Sequence, residues 1–157
     1  MVLLPLLLHI AITMVMKNIL ISSLDRVPYE VWVFPGIIFL IAGLSTFSII
    51  YRDLFDLRIH KKSFIPITLA PYSKTQLILG FLTTSILESL VYVLVAMSVL
   101  TVLLPEPLNW TAYLFIPVFT FLYTFMLGNF VITFSVLTDR ISTYLSIVIT
   151  MFMFVLF

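Results

Sequence analysis

Apolar residues along this chain fall into five long segments that are separated by short polar stretches. The segments cover approximately residues 2–22, 31–51, 75–104, 112–137 and 141–157. A helix of about 20 apolar residues is long enough to cross the hydrocarbon core of a membrane. The pattern therefore predicts an all-α integral membrane protein. We expect one domain over residues 1–157, a bundle of about five transmembrane helices.

The composition supports a membrane protein and limits the partners and cofactors that we expect. Of the 157 residues, 62% are hydrophobic and 10% are charged, whereas about a quarter of the residues are charged in soluble domains. We therefore expect the lipid bilayer as the surroundings, and the net charge of +1 predicts no nucleic acid partner. The chain has no cysteine and no phosphate-loop or zinc motif, so the sequence predicts no metal and no cofactor.

Charged residues concentrate between the second and third apolar segments. Residues 51–74 contain five of the eight lysines and arginines. If all segments span, six cations lie on this side of the membrane against one on the other, and such a bias marks the cytoplasmic side. The sequence predicts a multi-pass protein of the cell membrane with loop 52–74 in the cytoplasm, and a short helix within that loop.

Polar side chains recur at helical spacing within the apolar segments. They are Thr84, Glu88 and Tyr92 in the third segment, and Thr120 and Thr124 in the fourth. Residues four apart share a helix face, so these side chains serve either helix packing or a partly polar translocation path. A charge costs about 2.5–3.5 kcal/mol in a membrane helix on insertion scales. We therefore expect Glu88 to face the bundle or a subunit interface, either packed against hydroxyl groups or acting as a proton relay or cargo contact.

An enzymatic interpretation rests on a second group of residues. Asp53, Asp56 and His60 fall on one arc of a helix, which suits acid–base or metal chemistry, but a solvated helix face has the same composition. One alternative is therefore a membrane-embedded enzyme that uses Glu88 or this arc. Another is a non-transporting membrane protein with an assembly or regulatory role.

Two motifs occur in a particular order on either side of the charged loop. The first, Y-x-x-W-x-F-P-G-I-I, covers Tyr29 to Ile38 and opens the second segment. The second, Leu69-Ala70-Pro71-Tyr72-Ser73 followed by Leu79-Gly80, closes the loop and enters the third segment. This order resembles the membrane (permease) subunit of type-2 ABC exporters. Members of that family have six spans, so the resemblance predicts that this chain is a truncated member.

The resemblance implies a function and partners. A permease of this family is a transport subunit and not an enzyme, and a separate ABC ATPase subunit uses the ATP. It pairs as a homodimer, or as a heterodimer with another permease subunit, and exports polysaccharide or glycolipid, or drugs or lipids. A coupling helix in loop 52–74 would contact the ATPase. The residues expected at that contact are Arg52, Asp53, Asp56, Arg58, Lys61, Lys62, Ser63, Phe64, Pro71 and Ser73.

Overall fold

The computed structural model of the protein describes residues 3–20, 29–55, 57, 62, 64–69, 71, 73–104, 108–137, 146 and 149–150. Throughout these residues the regular structure is helical. We number the α-helices α1 (Leu3–Leu20), α2 (Tyr29–Ile50), α3 (Phe64–Leu69), α4 (Lys74–Leu103) and α5 (Trp110–Leu137). A π-helical turn, Tyr51–Phe55, continues α2 directly.

Three stretches are long and apolar enough to cross a membrane, namely Tyr29–Leu54, Lys74–Leu103 and Trp110–Ser135. The apolar part of α1, Leu3–Thr13, is shorter. The prediction of an all-helical chain with helices of membrane-crossing length is therefore confirmed for the described residues. The predicted count of five is not confirmed, because most of segment 141–157 lies outside the residues that the structure describes.

Helix α2 lies at the centre of the bundle, where it contacts α1, α4 and α5. In the most apolar part of α2 56% of the residues are buried, against 33% in α4 and 28% in α5. One cluster of buried side chains includes Phe34, Ile38 and Ile41 of α2 with Val93 and Leu100 of α4. Helices in a bilayer associate through such close van der Waals packing, since lipid is as apolar as the side chains.

A second buried cluster lies nearer the charged loop. It joins Ile50 and Leu54 at the end of α2 to Leu82 of α4 and Val131 of α5. Gly128 lets α5 approach α4 here, because a Cβ atom on Gly128 would lie 2.7 Å from Cδ1 of Leu82. The end of α2 is therefore held against α4 and α5 at the point where the loop begins.

Candidate functional site

The charged loop starts in the π-helical turn, where Arg52 and Asp53 are adjacent. In a π-helix the backbone hydrogen bonds join residues five apart, whereas in an α-helix they join residues four apart. Such turns occur frequently at functional sites. Tyr51 and Leu54, on either side of this pair, are half-buried and buried. The backbone of the turn is thus anchored in the bundle, while the Arg52 side chain is exposed.

Arg52 binds two carboxylates at once. Its Nε donates to Oδ1 of Asp53 at 2.6 Å, and its Nη2 donates to Oδ2 of Asp53 at 3.2 Å. The same Nη2 donates to Oε1 and Oε2 of Glu88 at 3.0 and 3.2 Å. Charge-assisted hydrogen bonds of this kind are about twice as strong as neutral ones. We call Arg52, Asp53 and Glu88 the charge triad; it joins the start of the loop to α4.

Glu88 lies at the midpoint of α4, about 21 Å from either end at 1.5 Å per residue. Its partner Arg52 lies in the turn that ends α2 and begins the charged loop, so the first half of α4 extends beyond the end of α2. Ionised groups in membrane proteins pair with one another or face a polar cavity. The exposed fractions of the Arg52 and Glu88 side chains are 58% and 39%, so the described helices cover the triad only in part.

The sequence predicts that Glu88 faces the bundle or a subunit interface, packed against hydroxyl groups or acting as a proton relay or cargo contact. It does not predict the partner: the carboxylate accepts hydrogen bonds from Arg52, 36 residues earlier in the chain. Two features of the sequence mark the members of the pair: Glu88 is the only acid in segment 75–104, and Arg52 directly follows the preceding segment. The pattern does not show that they meet, because Arg52 lies at a helix end and Glu88 at a helix midpoint.

The other residues predicted at the ATPase contact are only partly described. Lys62, Pro71 and Ser73 are exposed, and Lys62 has a positive φ of 50°, which is uncommon for a side chain of this kind. The backbone of Phe64 begins α3. Four predicted contact residues lie outside the described residues: Asp56, Arg58, Lys61 and Ser63. His60 also lies outside them, so the proposed Asp53–Asp56–His60 arc is not described as a group.

Ser73 closes the loop and fixes the start of α4. Its hydroxyl accepts a hydrogen bond from the Gln76 backbone N–H at 3.2 Å, and the Gln76 side chain accepts one from the Ser73 N–H at 3.1 Å. This reciprocal capping box satisfies two backbone donors that a helix start would otherwise leave unpaired. Loop 52–74 is therefore fixed at both ends, by the charge triad and by this cap.

The predicted translocation residues divide into two groups. Thr84 is exposed and lies one turn before Glu88, so both face the same open side of α4. Tyr92 is half-buried and packs against the first core cluster. Thr120 and Thr124 are fully buried, and their hydroxyls donate to the carbonyls of Ile116 and Thr120 in their own helix. Thr84 and Glu88 are thus accessible, whereas the two α5 threonines lie within a helix contact.

Among the described residues, no group of three or more His, Cys, Asp or Glu side chains lies close enough together to hold a metal ion. His9 instead lies 3.4 Å from the hydroxyl of Thr13, one turn along α1. The charge triad remains the candidate site, with a guanidinium and two carboxylates as its chemistry.

Comparisons with known proteins identify no relative. No family model, no curated protein sequence and no solved structure matches this chain.

Proposed function

We propose that this protein is a membrane-spanning subunit of an ATP-driven exporter, coupled to a separate ATPase subunit through loop 52–74. Three helices of membrane-crossing length and a cation-rich loop with a short helix support the proposal. The ordered motifs around that loop also favour an export permease. Transport is accordingly the role proposed for the chain, and ATP hydrolysis the role of its partner.

The observation that carries this proposal is the hydrogen bonding of Arg52 to Glu88 at 3.0 and 3.2 Å. An ATPase that moved the loop would act on two attachments. One is the charge triad, which connects to the middle of α4, and the other is the Ser73 cap, which connects to its first turn. Salt bridges between rigid helices that have two arrangements are a physical means of carrying such movement.

The open side of α4 is where the proposed cargo would pass. Thr84 and Glu88 are accessible there, and both offer oxygen atoms to hydroxyl-bearing or cationic groups. This chemistry is compatible with a polysaccharide or glycolipid cargo, and also with a drug or lipid that carries a polar head. We propose the cargo only at this level of class.

Co-purification from native membranes tests the proposal. We expect the tagged protein to recover an ABC ATPase. Charge reversal of Arg58, Lys61 and Lys62 to glutamate should abolish this recovery. The loop would then present negative charge to a partner groove that is complementary to its cations. Arg26→Glu is the matched control, since it reverses a cation in the loop predicted on the opposite side of the membrane. Recovery of no ATPase, or undiminished recovery after the triple reversal, would contradict the proposal.

A further inference from the structure

The two tryptophans of the chain indicate where one boundary of the bilayer lies. Trp32 and Trp110 are in the first turns of α2 and α5, and their exposed fractions are 67% and 87%. Tryptophan is enriched where a membrane meets water. Arg52 follows Trp32 by 20 residues, which is about 30 Å of helix and matches the thickness of the hydrocarbon core. Arg52, and the charge triad with it, therefore lies near the opposite boundary, at the depth of lipid headgroups.

The charge triad has hydrogen-bonding capacity that its internal contacts do not use. Each of the four carboxylate oxygens of Asp53 and Glu88 accepts one hydrogen bond from Arg52, whereas a carboxylate oxygen can accept two. The two N–H groups on Nη1 of Arg52 bond to nothing in the part of the chain that the structure describes. Two carboxylates and one guanidinium also carry a formal charge of −1 when all three are ionised. The triad thus offers acceptors with excess negative charge beside a pair of unused donors.

The open side of α4 next to Glu88 is apolar. Leu87, Val91 and Leu94 are four and three residues apart, so they form one line along the helix, and their exposed fractions are 53–60%. The line begins beside Glu88 and runs toward the end of α4, away from loop 52–74. An amphiphile with its polar group at the triad would therefore lay its hydrocarbon chain along this line.

The chemistry of the triad selects among lipid headgroups. A phosphate oxygen accepts hydrogen bonds from Nη1 of Arg52, and a primary ammonium donates to the carboxylate oxygens; both are charge-assisted bonds. An ethanolamine headgroup carries these two groups side by side. A choline headgroup has the positive charge but no N–H donor. A glycerol headgroup has hydroxyl donors but leaves the phosphate charge uncompensated, next to a triad that is itself negative.

We propose that the charge triad binds the headgroup of a phospholipid with a primary ammonium, in the leaflet that meets loop 52–74. The ammonium bonds to Asp53 and Glu88, the phosphate contacts Nη1 of Arg52, and an acyl chain lies along Leu87 and Val91. Phosphatidylethanolamine is the simplest lipid of this class. The inference goes beyond the proposed function: it requires a bilayer but no ATPase, so either proposal can fail without the other.

Native mass spectrometry of the purified protein tests the selectivity. The probes are three phospholipids with identical acyl chains and ethanolamine, choline or glycerol headgroups. We expect the ethanolamine lipid to bind roughly threefold to fivefold more tightly than the other two, a ratio in the range of exposed ion pairs. Soluble phosphoethanolamine at the same concentration should not displace it, because it lacks the chains that contact α4. Equal affinity for the three lipids, or displacement by the soluble compound, would overturn the proposal.

Neutral variants test whether the triad is the site. We expect Arg52→Gln and Glu88→Gln each to abolish the preference for ethanolamine. Glu88→Gln keeps the size of the side chain, so the test stands even if Arg52→Gln does not fold. Lys74→Gln and Glu30→Gln are the matched controls, since they neutralise an exposed cation in the first turn of α4 and an acid in the first turn of α2. Both should bind as the wild type does. A preference that survives Glu88→Gln, or is lost in the controls as well, would refute binding at the triad.

Discussion

Arg52 compensates the negative charges of two carboxylates, so removal of Arg52 should cost more stability than removal of either acid of the charge triad. If Glu88 is removed, Arg52 keeps its bidentate contact with Asp53. If Arg52 is removed, Asp53 and Glu88 both lose their cation, and two uncompensated acids are left beside each other. Breaking an ion pair by removing one partner costs most when the remaining charge has no other partner. The guanidinium is therefore the residue on which the triad depends.

Neutralisation of the triad should show this inequality. We expect Arg52→Gln to lower the free energy of unfolding by about 1 kcal/mol and Glu88→Gln by about 0.5 kcal/mol, because both side chains are partly exposed and exposed ion pairs contribute little each. Thermal unfolding in detergent provides the measurement. In the double variant the effects should be non-additive by about 0.5 kcal/mol, because the two residues are in contact. Equal losses, or strict additivity, would show that the contact has little energetic weight.

The sequence identifies both members of the Arg52–Glu88 pair but not their contact. Glu88 is notable because a charge is costly in an apolar helix, and Arg52 because it begins a cation-rich loop. Their contact depends on how far α2 and α4 are displaced along their axes, and packing around residues such as Gly128 and Leu82 sets this displacement. The same periodicity of apolar residues is compatible with other displacements, so the sequence pattern alone does not determine the contact.

At the scale of the elements, the helix ends follow closely from the distribution of polar residues. The four long helices begin and end within two residues of the apolar segments predicted for them. Ser73 and Gln76 also have the spacing of a capping box, which can be read directly from sequence. The π-helical turn could not be predicted in this way. It arises where the end of α2 adapts to its neighbours, and it has no residue pattern of its own.

Close approach of α5 to α4 should make Gly128 sensitive to added volume. We expect Gly128→Ala to destabilise the protein by about 1 kcal/mol relative to Gly80→Ala, because the new methyl group must displace buried Leu82. Gly80 is a matched control in α4: a Cβ atom there meets nothing within 4 Å. Alanine at position 80 should instead gain up to about 1 kcal/mol in helix propensity.

The comparison requires the free energy of unfolding of both variants in the same detergent. Leu82 has a flexible side chain, so the expected cost includes its change of rotamer. If Gly128→Ala were as stable as Gly80→Ala, the helices would not be in close contact at this point. The packing of the second core cluster would then differ from the one described.

At the scale of the whole molecule, the sequence indicates the class but not the arrangement. The three longest apolar stretches all have the composition of membrane helices, and that property does not reveal which of them lies in the centre. The position of α2 depends on its burial on several sides, between α1, α4 and α5. This is a tertiary property, because a helix surrounded by lipid and one surrounded by other helices are both uniformly apolar.

The orientation of the molecule gives a further prediction. We expect Lys62→Cys to react with a membrane-impermeant maleimide only after the cells are opened, because cation-rich loops stay in the cytoplasm. Asn109→Cys, at the start of α5 and therefore beyond the other end of α4, should react on intact cells. Both side chains are exposed in the structure, so accessibility within the protein is comparable. The reverse labelling pattern would contradict this prediction and show that loop 52–74 lies outside the cell.

The contact between Arg52 and Glu88 also has a consequence for how the protein is made. The ribosome adds about 5–20 residues per second. Since Glu88 follows Arg52 by 36 residues, it is synthesised about 2–7 seconds later. Asp53 is made directly after Arg52, so the guanidinium has a carboxylate beside it in the chain before Glu88 is added. The contact within the turn is therefore local in sequence, whereas the contact with Glu88 can form only after the first half of α4 has been made.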